Sequence, residues 1–220
     1  EIHSGDWSSD VCSSDLLDIP ETGSAKNDPY AQFIGKSPVK GPADAKVTII
    51  EYSDYFCPGC LPFYENVIQP ILKKYGNKVR FVSIQVNVLM NLGYSSVHAA
   101  YCADEQSRYW EMHSILMQRM EPFVGKPKNW ELGKAMMKLS KDGTPEYFTQ
   151  IAEKIDGIDR EQFLGCMNSD KYRSRIEKTT TAFEKLGFRG VPVIIINGQY
   201  FTGKPTEESL TKTIDAIING

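Results

Sequence analysis

From Val47 to Tyr52 the chain reads Val-Thr-Ile-Ile-Glu-Tyr, β-branched and apolar at both alternating positions. That is the pattern of a strand buried on both faces in the middle of a sheet, and it places Glu51 inside. After cysteines at 57 and 60, Tyr64, Val67, Ile68, Ile71, Leu72 and Tyr75 recur at helical spacing, with Lys73 and Lys74 in the last turn and Gly76 as the stop. Pro70 is expected to kink this helix. Val79 to Val86 alternates and predicts a second strand. The first half thus reads strand, helix, strand, a parallel βαβ unit with the cysteine pair at its strand-to-helix junction.

From about Ser95 to Leu186 the patterning is helical. Tyr109, His113, Leu116 and Met117 form one stripe; Asn129 can cap a segment carrying Trp130 and Met137; Thr144-Pro145 opens another with Phe148 and Ile151. Asp159 with Gln162 resembles a capping box, and Tyr172, Ile176, Phe183 and Leu186 mark a last helix closed by Gly187. Four or five helices are predicted here. Val191 to Ile196 returns to strand, Asn197-Gly198 is a strong hairpin turn, and Gln199 to Thr202 pairs back antiparallel. A final helix starts at Thr206 and buries Leu210, Ile214 and Ile217. The predicted class is α/β, with residues 41–90 and 188–220 forming a mixed sheet flanked by helices and residues 91–187 an inserted helical domain.

Residues 17–40 are rich in Pro, Gly, Ser, Asp and Lys without a sustained period and read as a linker or N-terminal arm. Residues 5–16, GDWSSDVCSSDL, resemble a translated sequencing adapter, so residues 1–16 are set aside as an artefact of that origin. A secretory signal would stand where this segment now sits, so the missing signal says nothing about export. The formal charge is −3; without Glu1, Asp6, Asp10 and Asp15 the remainder holds 24 acids against 25 bases. That near balance gives no electrostatic case for nucleic acid or acidic partners. With 41% hydrophobic and 24% charged residues, and no apolar run near the ~20 residues of a membrane-spanning helix, the chain reads as a soluble globular protein.

Setting residues 1–16 aside removes Cys12 and leaves Cys57, Cys60, Cys102 and Cys166, an even number that permits two disulfides without demanding them. A cysteine in the first turn of a helix faces unsatisfied backbone N–H groups and the positive end of the helix dipole, which favour its thiolate. Cys57 is therefore the expected nucleophile. Cys60, three residues on, falls on the same face at disulfide distance, and Pro58 suits a first helical turn. A zinc half-site is the competing reading, but Cys102, Cys166, His98 and His113 do not form the second close pair such sites use. Two ordinary core cysteines would suit a helix interior better than the flanks of Pro-Gly. His98 and His113 read as helix-surface or packing residues, and no metal is expected.

Cys57-Pro58-Gly59-Cys60 after a buried strand, a helical insertion, and Gly190-Val191-Pro192 opening a strand that ends in a hairpin together resemble the DsbA-like branch of the thioredoxin superfamily, over roughly residues 38 to 220. The resemblance implies a thioredoxin fold and a protein disulfide oxidoreductase. It makes Cys57 the exposed cysteine that forms a mixed disulfide with substrate and Cys60 its buried partner. Pro192 matches the family's cis-proline, with the backbone of Val191 offering a substrate-binding edge. Glu51 stands where the superfamily carries a buried acid, which can relay a proton to or from Cys60. Cys102 and Cys166 lie near places where similar members carry cysteines, so they are either a structural disulfide or two separate buried thiols. Gly59 departs from the best-known pattern, whose dipeptide ends in histidine, and cannot supply that side chain's support to the thiolate.

The function implied is the introduction of disulfides into exported proteins, in the periplasm or another extracytoplasmic space, by a monomer. It needs no metal or organic cofactor, and a membrane quinone-linked partner would reoxidise it. Disulfide reductase and isomerase are the alternatives within the fold; Val191 before Pro192 resembles oxidase members, where isomerases more often have threonine. A non-catalytic peptide-binding chaperone using the groove beside Val191 and Pro192 is the alternative outside redox chemistry.

Overall fold

The computed structural model describes residues 37–89, 92–126, 130–201 and 205–220. The adapter-like segment, the arm up to residue 36, Asn129 as a cap, the side chain of Trp130, and Thr202 lie outside the described residues. Five strands, β1 (Val39–Lys40), β2 (Val47–Ser53), β3 (Val79–Gln85), β4 (Val193–Ile196) and β5 (Gln199–Tyr200), form one mixed sheet in the order β1-β3-β2-β4-β5. β2 and β3 run parallel, Glu51 opposite Ser83, while β4 lies antiparallel on the other side of β2 with Ile194 opposite Glu51. β2 is central and buried along almost its whole length, as the unbroken apolar run predicts.

β1 is a difference from the sequence reading, in which residues up to 40 are arm. Val39 and Lys40 pair antiparallel with Val82 and Phe81; two residues are too few to generate a period. Gly41 makes this return possible. Its φ is +88°, and a Cβ there would run into the Val79 carbonyl, so only glycine lets the chain pass so close to β3.

The helix after the cysteines is built in three pieces: α1 (Cys60–Phe63), a π-helical turn over Tyr64–Ile68, and α2 (Gln69–Tyr75). Pro70 lacks an N–H, and its ring crowds the carbonyl four residues earlier. The widened turn immediately before it relieves that crowding inside a continuous helical run. Gly76, at φ +52°, ends α2.

Between β3 and β4 come α3 (Tyr94–Asp104), α4 (Tyr109–Gln118), α5 (Trp130–Lys141), α6 (Pro145–Ala152), α7 (Arg160–Met167) and α8 (Arg173–Lys185). These are six helices among the described residues, against four or five predicted. α3 falls inside the stretch that reads as helical from about Ser95 but is not singled out as an element of its own, and the reason is burial: Ser96 to Ala103 are all inside, so no polar stripe marks its period. Thr144 and Asp159 cap α6 and α7, each accepting from the backbone N–H three residues on. α9 (Glu207–Asn219) opens with a reciprocal capping box between Thr206 and Ser209.

Alternation along β2 sorts the core into two layers. Val47 and Ile49 face the layer containing Cys60, Tyr64, Phe81, Leu116, Leu210 and Ile214. Ile50 and Tyr52 face a smaller layer with Val82, Phe183, Phe188 and Ile195. Glu51 shares the face of Ile49, and so belongs to the cysteine side. In the smaller layer Phe183 has its ring 5.2 Å from Tyr52 and 5.3 Å from Phe188. We expect Phe183→Ala to lower unfolding free energy by about 3–5 kcal/mol in a urea titration, with the far-UV circular dichroism spectrum retained.

Candidate active site

Ser53 ends β2, and the next six residues turn the chain back into α1. Asp54 organises that turn. Its Oδ1 accepts from the Phe56 N–H at 2.8 Å, and its Oδ2 accepts from the N–H groups of Val88 and Leu89, both at 3.0 Å. One carboxylate thus ties the loop before Cys57 to the loop after β3. The Asp54 carbonyl accepts from Cys57 N–H at 2.9 Å, and the Cys57 carbonyl from Cys60 N–H at 3.1 Å. The first helical residue is Cys60, with Gly59 as N-cap. Cys57 and Pro58 therefore sit in the tight turn leading into the helix, one turn earlier than the sequence suggests. Helix ends commonly tighten this way into i→i+3 bonding.

Cys57 and Cys60 are joined in a disulfide, their Cα atoms 5.3 Å apart. They are unequal: Cys57 keeps 7% exposure and Cys60 none. Cys57 Sγ lies 3.6 Å from the Val191 carbonyl oxygen, and the Val191–Pro192 peptide bond is cis. The segment entering β4, more than 130 residues away in sequence, therefore forms one wall of the site. A Cβ on Gly59 would meet only Cys57 Sγ, at 4.0 Å, so the space beside the thiol is open.

Beneath the disulfide the sheet face is polar. Glu51 is fully buried, and neither carboxylate oxygen has a hydrogen-bond partner. Burial raises its pKa from 4.5 to about 8. Asp54 is raised by burial to about 6, its three backbone donors working in the opposite direction. On the same side Gln85 Nε2 donates to Ser83 Oγ at 3.2 Å, Ser83 Oγ and Tyr109 Oη share a hydrogen bond at 3.4 Å, and Tyr55 Oη and His113 Nδ1 share one at 2.9 Å. His113 is pushed down to about 3 by burial and by the nearby Lys40 charge, so it is neutral at physiological pH. Lys40 Nζ stands over the Trp110 ring at 4.4 Å and donates to Tyr64 Oη at 3.5 Å. Burial lifts Tyr64 to about 12.

The structure thus brings together Cys57, Cys60, Val191 and Pro192, with Pro58 and Gly59 in the turn and Glu51 under it. Cys102 and Cys166 lie elsewhere, disulfide-bonded between α3 and α7 with Cα atoms 5.7 Å apart. His98 and His113 are both buried packing residues. Asp54, Tyr64 and Lys40 carry no expectation from the sequence. Asp54 alone left a local signal, since an aspartate accepting from the N–H two residues on is an Asx-turn.

The raised pKa of Glu51 sets a pH dependence. The folded protein holds this proton to about pH 8, whereas the unfolded chain releases it near 4.5. Stability from this source is fully present below pH 4.5 and is lost as pH rises toward 8. In the oxidised protein, Glu51→Gln should remove that loss. Between pH 5 and pH 8 the unfolding free energy of the parent should fall by ~3–4 kcal/mol more than that of the variant, as read from paired urea titrations.

Residues 34–216 match the family model described as thioredoxin. Disulfide bond formation protein D of Bacillus subtilis (strain 168) is 23% identical over 188 residues, spanning 83% of this chain and 78% of that protein. The thiol:disulfide interchange protein DsbA of Burkholderia cepacia is 26% identical over 208 residues, spanning 89% and 87%. Among solved structures, oxidised BdbD from Bacillus subtilis superposes with a TM-score of 0.69 at 21% identity, covering 85% of this chain and 95% of that one. A mixed sheet with a two-cysteine turn after its central strand, helices inserted before β4, and a family match over most of the length agree: the chain belongs to the thioredoxin family.

Proposed function

We propose that this chain is a protein thiol:disulfide oxidoreductase that introduces disulfides into exported proteins. The observation that carries the reading is the asymmetric disulfide: Cys57, 7% exposed, beside the Val191 carbonyl, and Cys60 fully buried on the sheet face that also holds a buried acid. Residues 41–90 and 188–220 make up the redox domain in this reading, and 91–187 the inserted helical domain.

A substrate thiolate attacks Cys57 Sγ. A new sulfur–sulfur bond forms, the Cys57–Cys60 bond breaks, and Cys60 leaves as a thiolate. Glu51, still protonated at neutral pH, is the proton source on that sheet face. A second substrate thiolate then attacks the substrate sulfur of the mixed disulfide and expels Cys57. The substrate has lost two electrons and gained a disulfide; the enzyme holds both electrons as two thiols. The extended substrate segment pairs with the backbone at Val191, where the groove meets Pro192. The working site is extracytoplasmic, the protein acts as a monomer, and a membrane quinone-linked partner accepts the electrons. The relatives' names, disulfide bond formation protein D and thiol:disulfide interchange protein DsbA, support the oxidising direction.

Cys60→Ser should accumulate mixed disulfides through Cys57 that are released by added dithiol, visible on non-reducing gels. Glu51→Gln should slow exchange at least about tenfold and remove the fall in rate that the parent shows as pH rises through about 8, in stopped-flow oxidation of a dithiol peptide. Equilibration against glutathione buffers with thiol trapping of Cys57 measures direction. A potential near that of thioredoxin, about −270 mV, would overturn the oxidase reading in favour of a reductase. Gly59→His should move the potential upward, on the order of 30 mV, because the open space beside Cys57 admits a donor to the thiolate.

A further inference from the structure

A second cluster of sulfur and nitrogen ligands lies apart from Cys57, where α7 packs on α3. His98 and Cys102 are four residues apart on α3, so both project from one helical face. Cys166 approaches from α7. A His98 ring nitrogen, Cys102 Sγ and Cys166 Sγ all lie within 4.8 Å of one another. The three residues are 3%, 1% and 5% exposed. His98 Nε2 is buried with no hydrogen-bond partner, which native interiors rarely leave so. At the edge of the cluster Glu105 Oε1 lies 3.5 Å from Cys166 Sγ, held by the Tyr172 hydroxyl at 2.6 Å and by Lys171.

In the disulfide form the two sulfurs are bonded to each other and offer no thiolate. Reduction by a dithiol adds two electrons and two protons, gives two thiols that must part from bonding distance, and leaves the dithiol as its own disulfide. Zinc bonds of about 2.3 Å to sulfur and 2.0–2.1 Å to nitrogen, arranged tetrahedrally, put ligand atoms roughly 3.5–3.8 Å apart. From a spacing within 4.8 Å, the ring nitrogen and the sulfurs need close by no more than about 1 Å, and the two sulfurs, released from a bond of about 2.05 Å, move apart by roughly 1.7 Å, both within the reach of side-chain rotation.

We propose that, when the Cys102–Cys166 pair is reduced, His98, Cys102 and Cys166 bind one zinc ion, with the Glu105 carboxylate closing the fourth position. Binding releases the two thiol protons to solvent and holds both sulfurs as thiolates. From sequence spacing these residues make no zinc site, since no second close pair follows the first. The tertiary fold supplies the third ligand by laying α7 against α3. Metal and disulfide exclude each other, so this pair has two alternative closed states, one selected by oxidant and the other by zinc.

The test uses the full chain carrying Cys12→Ser, Cys57→Ser and Cys60→Ser, so that Cys102 and Cys166 are the only thiols and exchange at Cys57 is out of play. After dithiol reduction and removal of the reductant, cobalt(II) is titrated in as a spectroscopic stand-in for zinc. The expected result is one ion per chain, with thiolate-to-cobalt charge transfer in the near ultraviolet and tetrahedral bands in the visible that added zinc displaces. His98→Gln should weaken binding at least about tenfold, and Cys102→Ser should abolish the charge-transfer band. Zinc should also slow reoxidation of the pair. The proposal is overturned if the reduced chain keeps its circular dichroism spectrum yet binds no cobalt. Binding that both His98→Gln and His98→Ala leave unchanged overturns it too, as does a reduced chain that fails to fold with zinc present. None of these outcomes touches the exchange chemistry of Cys57 and Cys60.

Discussion

One buried carboxylate holds the site together. Asp54 sits where the central strand stops, and its two oxygens take three backbone N–H groups from two different loops. The Phe56 N–H among them would otherwise be unsatisfied inside the protein, where such a group costs about 1–3 kcal/mol. The bonds fix the turn that carries Cys57 against the loop after β3, and Asn87 extends the join by accepting from the Gly93 N–H at 2.9 Å. The start of α3, and with it the helical block, is thereby set relative to the cysteine turn. A Cβ on Gly93 would come within 3.0 Å of the same Asp54 oxygen, so the join leaves little room for change.

Glu51 is the complementary case. Asp54 is buried and bonded, whereas Glu51 is buried without bonds, and the contrast shows in their acidities, about 6 against about 8. A carboxyl kept neutral at physiological pH is a poor structural element in the middle of a sheet, where Ile or Val would stabilise more. In the function proposed above, that retained proton is what the departing thiolate takes up. Ser83, Gln85 and Tyr109 on the same face, with Tyr64 close enough to feel its charge, make this part of an otherwise apolar layer polar. Local stability is lower there than a hydrophobic strand would give.

Much of the fold was legible because its signals are local. β2 announced itself through β-branched residues at both parities, the turn through an Asn197-Gly198 pair that tolerates the positive φ values of +48° and +82° found there, and α6, α7 and α9 through their caps. The chain was less legible where burial or brevity weakens a signal, so α3 reads as helical but is not separated from the rest of its block. α3 is buried nearly all round and shows no stripe, and β1 is two residues held by pairing with β3 rather than by its own pattern. Pro70 pointed to a kink, and the chain answered with a π-helical turn, because a widened turn relieves the same clash while keeping the helix continuous.

Sequence by itself determined the chemistry available: two cysteines separated by Pro-Gly after a buried strand, an acid in that strand, and a Val-Pro step before the last hairpin. Residue type and spacing suffice for that, since nucleophilicity and turn geometry are properties of a few neighbouring atoms. Tertiary structure decided which groups meet. It set the Val191 carbonyl 3.6 Å from Cys57 Sγ, made Asp54 a bridge between loops, and brought Cys166 to His98 and Cys102 across 64 residues. Contacts of that range depend on how helices and strands pack, and packing is settled by the whole core at once, not by any stretch of chain read alone.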